Sequence, residues 1–180
     1  MPLVGMNKQT GERVDITKIG DPRSAIKRGD LVCPHCNQEM TVVAGLVRIK
    51  HFRHLVNCGD STARHPESIK HLLGKMYVSD LLKRLYPKDS VEFEVKLPDV
   101  GRIADVMLEM EGGWKIAHEV QLASITTEEL IERTKSYLGN GIDVTWWLGG
   151  KANTPTNRFW IADNFGDVRI LEFNRVDTGA

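Results

Sequence analysis

Four residues in two short pairs carry the first chemical signal: Cys33 and Cys36, then His51 and His54, spaced C-x2-C-x14-H-x2-H. Zinc takes four tetrahedral nitrogen and sulfur ligands, and two close pairs at the ends of a β-hairpin can supply them. The residues between read as that hairpin, Met40–Ala44 and Leu46–Ile49 around Gly45. The His pair is tighter than the H-x3-5-H of a DNA-reading finger, so a structural zinc site is expected rather than a ββα finger. A redox reading of C-x2-C needs a following helix, which Asn37-Gln38-Glu39-Met40 does not suggest. His35 reads as a spare ligand or a solvent-facing group. Cys58 reads as a free thiol, with zinc ligation as its alternative.

A second constellation is made of carboxylates. Asp105 and Glu119 sit in mid-strand within consecutive apolar runs, Ile103–Met110 and Trp114–Leu122. A carboxylate there is costly to bury unless it is paired or binds a metal, and neighbouring hairpin strands can bring two together. Such an oxygen-rich site suits Mg2+, which can polarise a phosphodiester and acidify an attacking water. Strand alternation places Gln121 on the face of Glu119. Glu92, Glu94 and Glu109 instead read as solvated strand positions.

A third set, Glu67, His71 and Lys75, is spaced i, i+4, i+8 and spans only about 80° of a helix circumference. Val78 and Leu82 continue the ribbon, which suggests a helix edge opening into a cleft; a surface Glu–His–Lys ladder is the alternative. Arg133 lies off the apolar stripe of its helix and could reach a phosphate, or pair with Glu129 or Glu132. Trp146-Trp147 reads as core.

The positioning elements follow from periodicity. A helix is expected from Pro66 to Leu85, with Ile69, Leu72, Leu73, Met76 and Tyr77 as its apolar face. Gly74 in mid-helix suggests close approach of another segment. Val91–Leu97 alternates with Val91, Phe93, Val95 and Leu97 inward, and two tight turns make the three strands a meander. Thr126 and Glu129 form a capping box for a helix ending near Leu138. Val144–Leu148 reads as a central strand. Phe159–Ala162 and Val168–Phe173 read as a late hairpin around Asn164–Gly166. The order predicts an α+β fold with a mixed sheet.

Composition bounds the partners. The 180 residues hold 24 Lys+Arg and 24 Asp+Glu, a net charge of zero, with 41% hydrophobic residues. That argues against a strongly basic nucleic-acid coat and against a disordered acidic chain. The balance hides an asymmetry: residues 1–75 carry 12 Lys/Arg and 7 Asp/Glu, and residues 76–180 carry 12 and 17. Three cysteines disfavour a disulfide framework. Neither a signal peptide nor a membrane-length apolar run is visible, so a cytoplasmic protein without a membrane partner is expected.

The ordered motifs resemble the competence protein CoiA-like nuclease family. The resemblance rests on Cys33-Pro34-His35-Cys36 and His51-Phe52-Arg53-His54, on Glu67-Ser68-Ile69-Lys70-His71 with Lys75 one turn on, and on Arg102-Ile103-Ala104-Asp105-Val106. It continues through Glu119-Val120-Gln121-Leu122-Ala123-Ser124-Ile125, then Arg133, Tyr137 and Trp146-Trp147. It implies the restriction-endonuclease-like PD-(D/E)xK fold, a mixed sheet flanked by helices, over residues 66–180, with a zinc-ribbon-like module over residues 1–65. Asp105 and Glu119 would then bind Mg2+ or Mn2+. Gln121 stands where that superfamily usually has a lysine, and Lys75 is a candidate replacement for the missing cation. The expected activity is metal-dependent hydrolysis of DNA. Glu67 would orient the metal or its waters, and His71 and Lys75 would contact the phosphate or nucleophile. Arg133, Arg102 and the basic residues Arg48, Lys50 and Arg53 would hold the strand. The alternative is an inactive nuclease fold serving as a DNA-binding or recombination accessory. Single-stranded or branched DNA and recombination proteins are the partners implied.

Overall fold

The computed structural model describes residues 1–45, 49–56 and 68–173. Glu67, Arg48 and Cys58 therefore lie outside the described residues, as do Pro66 and most of the second hairpin strand expected at Leu46–Ile49.

The N-terminal part is built from short strands. β1 (Val4–Asn7) pairs antiparallel with β2 (Arg13–Asp15) and β3 (Leu31–Val32). Between them, Asp21 caps a one-turn helix, α1 (Pro22–Ala25), whose Pro22 needs no amide donor. β4 (Met40–Val43) pairs antiparallel with β5 (His51–His54), Met40 facing His54 and Val43 facing His51. The expected hairpin thus has the histidines inside its second strand rather than beyond it.

Helix α2 (Ile69–Leu85) begins later than Pro66 because Ser68 is its N-cap, accepting from the His71 amide. A meander follows: β6 (Ser90–Leu97), β7 (Arg102–Glu109) and β8 (Lys115–Gln121). Helix α3 (Thr127–Leu138) opens with the expected Thr126–Glu129 capping box. It crosses to β9 (Ile142–Gly149), which lies parallel to β8. The expected late hairpin is instead a helix, α4 (Pro155–Phe165), followed by β10 (Arg169–Leu171) parallel to β9. Thr154 caps α4, Pro155 starts it, and Gly166 at φ +82 stops it; these end signals outweigh the short apolar run. Among the described residues the result is a five-stranded mixed sheet ordered β10-β9-β8-β7-β6 in an α+β chain. No described helix is long and apolar enough to cross a membrane.

One buried cluster joins α2 to one sheet face and to the N-terminal strands through Leu3, Val4, Phe52, Leu72, Val78, Phe93, Val106 and Val120. A second lies between the other face, α3 and α4, around Leu130, Tyr137, Trp146 and Ile161. The buried side of α2 carries Leu72, Gly74, Lys75, Val78, Ser79 and Leu82, whereas Ile69, Leu73 and Tyr77 are exposed. The ribbon through Lys75 and Val78 therefore faces the sheet; of the apolar face expected from periodicity, Leu72 is buried and Met76 packs against the core, but the other three residues are not buried. Gly74 permits this approach: a Cβ there would lie 2.8 Å from Val120 Cγ1.

The sheet changes phase at one point. Phe93 packs in the first cluster but Val95 and Leu97 pack against the second; Val106 and Ala104 divide the same way. Glu94, at φ +51, inverts the alternation. The expectation that Val91 through Leu97 share one face, with Glu94 solvated, is thus corrected: Glu94 is only 6% exposed.

Candidate functional site

The two carboxylates meet where β7 and β8 stop pairing. Val106 faces His118 in the last paired register, so Asp105 and Glu119 occupy the next opposed positions. In place of a ladder bond, Asp105 Oδ2 accepts from the Val120 amide at 2.9 Å. His71 approaches from α2, its Nε2 lying 2.8 Å from the Val120 carbonyl oxygen and 3.1 Å from Asp105 Oδ2. A carbonyl can only accept, so Nε2 carries a proton in that contact. Asp105 Oδ1 accepts no hydrogen bond among the described residues.

Glu119 is 3% exposed and is held from α3. The Tyr137 hydroxyl donates to Oε1 at 2.7 Å, and Arg133 Nη2 donates to Oε2. Burial first, then the nearby charge of Asp105, pushes the Glu119 carboxyl up, against the opposing pull of Arg133. Burial and the Glu119 charge likewise push the Tyr137 phenol up, so Tyr137 is a hydrogen-bond donor rather than an anion. A buried carboxylate whose charge is disfavoured, beside a second carboxylate, forms a donor set suited to a divalent cation.

Lys75 faces another partner. Its side chain is fully buried, with Nζ 2.6 Å from Glu94 Oε1. The Glu94 carboxylate also accepts from the amides of Leu3 and Val4 at 3.0–3.2 Å. It therefore ties the N-terminal strand to α2 and the sheet. Sequence reasoning missed this residue. Nothing in Val91-Glu92-Phe93-Glu94-Val95 marks the positive φ that turns Glu94 inward.

The basic residues are dispersed. Lys50 Nζ reaches the carbonyls of Ile19 and Gly20, and Arg53 is exposed. Arg102 Nε donates to Ser136 Oγ at 3.2 Å. Trp146 and Trp147 are buried in the core, as expected. His118, not singled out from the sequence, is 3% exposed and accepts from Trp147 Nε1 at 3.2 Å through Nδ1.

In the N-terminal module, the ligand atoms of Cys33, Cys36 and His54 lie within 4.8 Å of one another. The Cys33–Cys36 turn is closed by the Asn37 amide on the Cys33 carbonyl at 2.9 Å, with Asn37 at φ +58. The His35 amide donates to Cys33 Sγ at 3.4 Å. Burial lowers the His54 pKa and favours the neutral imidazole that ligates metal. These three groups fit a zinc-binding module. The structure does not bring His51 into the set; its Nδ1 contacts the Ile49 carbonyl at 2.8 Å. His51 and His54 are three apart on one strand, so their side chains leave opposite faces.

No curated protein and no solved structure matches the chain. A comparison with known families matches residues 67–171 to the one described as Competence protein CoiA, nuclease-like domain. The matched span runs from α2 through β10 and contains Asp105, Glu119, Arg133 and Tyr137, and it supports a nuclease-type function in general. Because it covers more than half of the sequence, the chain belongs to the competence protein CoiA nuclease-like family.

Proposed function

We propose that this chain is a divalent-metal-dependent nuclease that hydrolyses DNA phosphodiester bonds, with a structural zinc ion in its N-terminal module. The observation that carries the reading is the placement of Asp105 and Glu119 at opposed positions where the β7–β8 ladder ends. Mg2+ or Mn2+, when bound there, would act as a Lewis acid on the phosphodiester and make water a better nucleophile at neutral pH. Asp105 and Glu119 would be its ligands. His71 and the Val120 amide fix one oxygen of Asp105, and Tyr137 fixes the orientation of Glu119. Glu67 would orient the metal or its waters.

Single-stranded or branched DNA is the proposed substrate, held by Arg53, Lys50, Arg48 and Arg102, with recombination proteins as partners in the cytoplasm. The zero net charge argues for moderate, salt-dependent binding rather than indiscriminate coating.

A second reading, an inactive nuclease fold that binds DNA, draws support from Glu119, both of whose oxygens already take bonds from Tyr137 and Arg133. One experiment separates the two. Cleavage of single-stranded, duplex and branched DNA is measured with Mg2+ or Mn2+ for wild type and Asp105→Ala, alongside DNA affinity. Cleavage lost in Asp105→Ala supports the nuclease. Binding without cleavage in wild type supports the second reading, and neither activity refutes both.

A further inference from the structure

The position of the usual superfamily lysine is taken by Gln121, an uncharged group. We propose that Arg133 supplies the activating cation of the active site, and that Gln121 is the residue that positions it. This rests on the nuclease reading above.

Three contacts hold the guanidinium beside Glu119. Arg133 Nη2 donates to Glu119 Oε2, Nη1 donates to Gln121 Oε1 at 3.1 Å, and Cζ lies 4.9 Å from the Trp146 ring centroid. The Gln121 amide has one orientation that satisfies both its ends. Its Nε2 donates to the Ala123 carbonyl at 2.9 Å, which turns Oε1 toward Arg133. A reversed amide would set N–H groups against a guanidinium and against nothing that accepts them. Gln121 thus does at one remove what a lysine at that position would do directly: it brings a permanent positive charge to the edge of the metal-binding carboxylates.

The other candidate is elsewhere. Lys75 is fully buried against Glu94, whereas the Arg133 side chain keeps 24% of its surface exposed. Arg133 also has donors to spare. Its Nε–H is buried with no partner among the described residues, and each Nη carries a second N–H. Arginine stays protonated throughout the working range, so it cannot serve as general base. Its role is to donate to a non-bridging oxygen of the scissile phosphate and stabilise the charge that develops there. The planar fork can keep one edge on Glu119 and Gln121 while the other meets phosphate.

The test uses the full chain with Mn2+ and a labelled DNA strand under steady-state, multiple-turnover conditions. Wild type, Asp105→Ala, Arg133→Gln, Gln121→Met and the double variant Gln121→Lys/Arg133→Gln are compared. Circular dichroism and DNA affinity serve as folding controls. Loss of one charge-stabilising donor group predicts about a hundredfold slower cleavage for Arg133→Gln. The double variant, which puts a lysine back at position 121, is expected to recover at least about tenfold of that. Gln121→Met leaves the Arg133–Glu119 pair in place, and is expected to lower kcat with little change in KM. A purely structural role would reduce the thermal midpoint instead, and leave kcat of the folded protein unchanged.

Full activity in a folded Arg133→Gln, with Asp105→Ala inactive, overturns this inference alone. So does a folded, inactive Arg133→Gln that the added lysine fails to rescue. If Arg133→Gln does not fold, an unchanged kcat in Gln121→Met overturns it. Wild-type cleavage that is absent, or that survives Asp105→Ala, overturns the nuclease reading and this inference with it.

Discussion

The Glu94–Lys75 pair offers the sharpest quantitative test of how the N-terminal module is joined to the sheet. In Glu94→Gln, the shape is kept and the negative charge is removed from a site where both side chains are almost wholly buried. Removing one member of a buried ion pair typically costs about 3–5 kcal/mol. The expected loss of stability is therefore about 3 kcal/mol at pH 7.

Urea denaturation of both proteins at pH 7 reads it directly. Amide hydrogen exchange adds a local readout, because Leu3 and Val4 donate to Glu94 and both should exchange faster in Glu94→Leu. A deficit below about 1 kcal/mol at pH 7 would refute the argument, as would protection at Leu3 and Val4 that Glu94→Leu leaves unchanged.

Zinc binding should discriminate between the two histidines. Cys36→Ser and His54→Ala are expected to lose zinc, measured by elemental analysis of the purified protein, while His51→Ala retains it; loss in His51→Ala would contradict the strand geometry. Gly74→Ala sets a helix-propensity gain of about 1 kcal/mol against an overpacking cost of about 1–3 kcal/mol. Because the new Cβ meets stiff Val120 at 2.8 Å, the expected urea midpoint is lower, and the second substitution Val120→Ala should reduce the difference between Gly and Ala at position 74. For His118, burial lowers the pKa from 6.5 to about 4. The unfolded chain then takes up a proton that the folded one refuses, so this stability is complete above about pH 6.5 and falls toward pH 4, by about 3 kcal/mol in all. Thermal melts of His118→Phe over that range should show a shallower acid limb than wild type.

Local pattern alone makes several features legible. The capping box at Thr126 and Glu129, the meander with its Pro-Asp and Gly-Gly turns, and the Cys33–Cys36 turn depend on residues close in sequence. So does the ordered motif set that marks the family. The ribbon through His71, Lys75, Val78 and Leu82 already distinguished one edge of α2, although the apolar residues of the opposite face appeared the better candidates for burial. Short apolar runs misled at Phe159–Ala162, where Thr154, Pro155 and Gly166 were the stronger signals.

What the sequence by itself determined is which groups are available: three cysteines and their histidines, two carboxylates on neighbouring strands, and a glutamine in the usual place of a lysine. Tertiary structure decided which of them meet. A positive φ at Glu94 inverts the strand's two faces, and turns a position that alternation assigns to solvent into the buried partner of Lys75 and the anchor of the N-terminal strand. The fold brings His54, and not His51, to Cys33 and Cys36, and the packing of α3 on the sheet delivers Arg133 to Glu119 and Gln121. Alternation and spacing act over a few residues. These pairings join residues from 12 to 91 positions apart along the chain, and are fixed only when helices and sheet pack together.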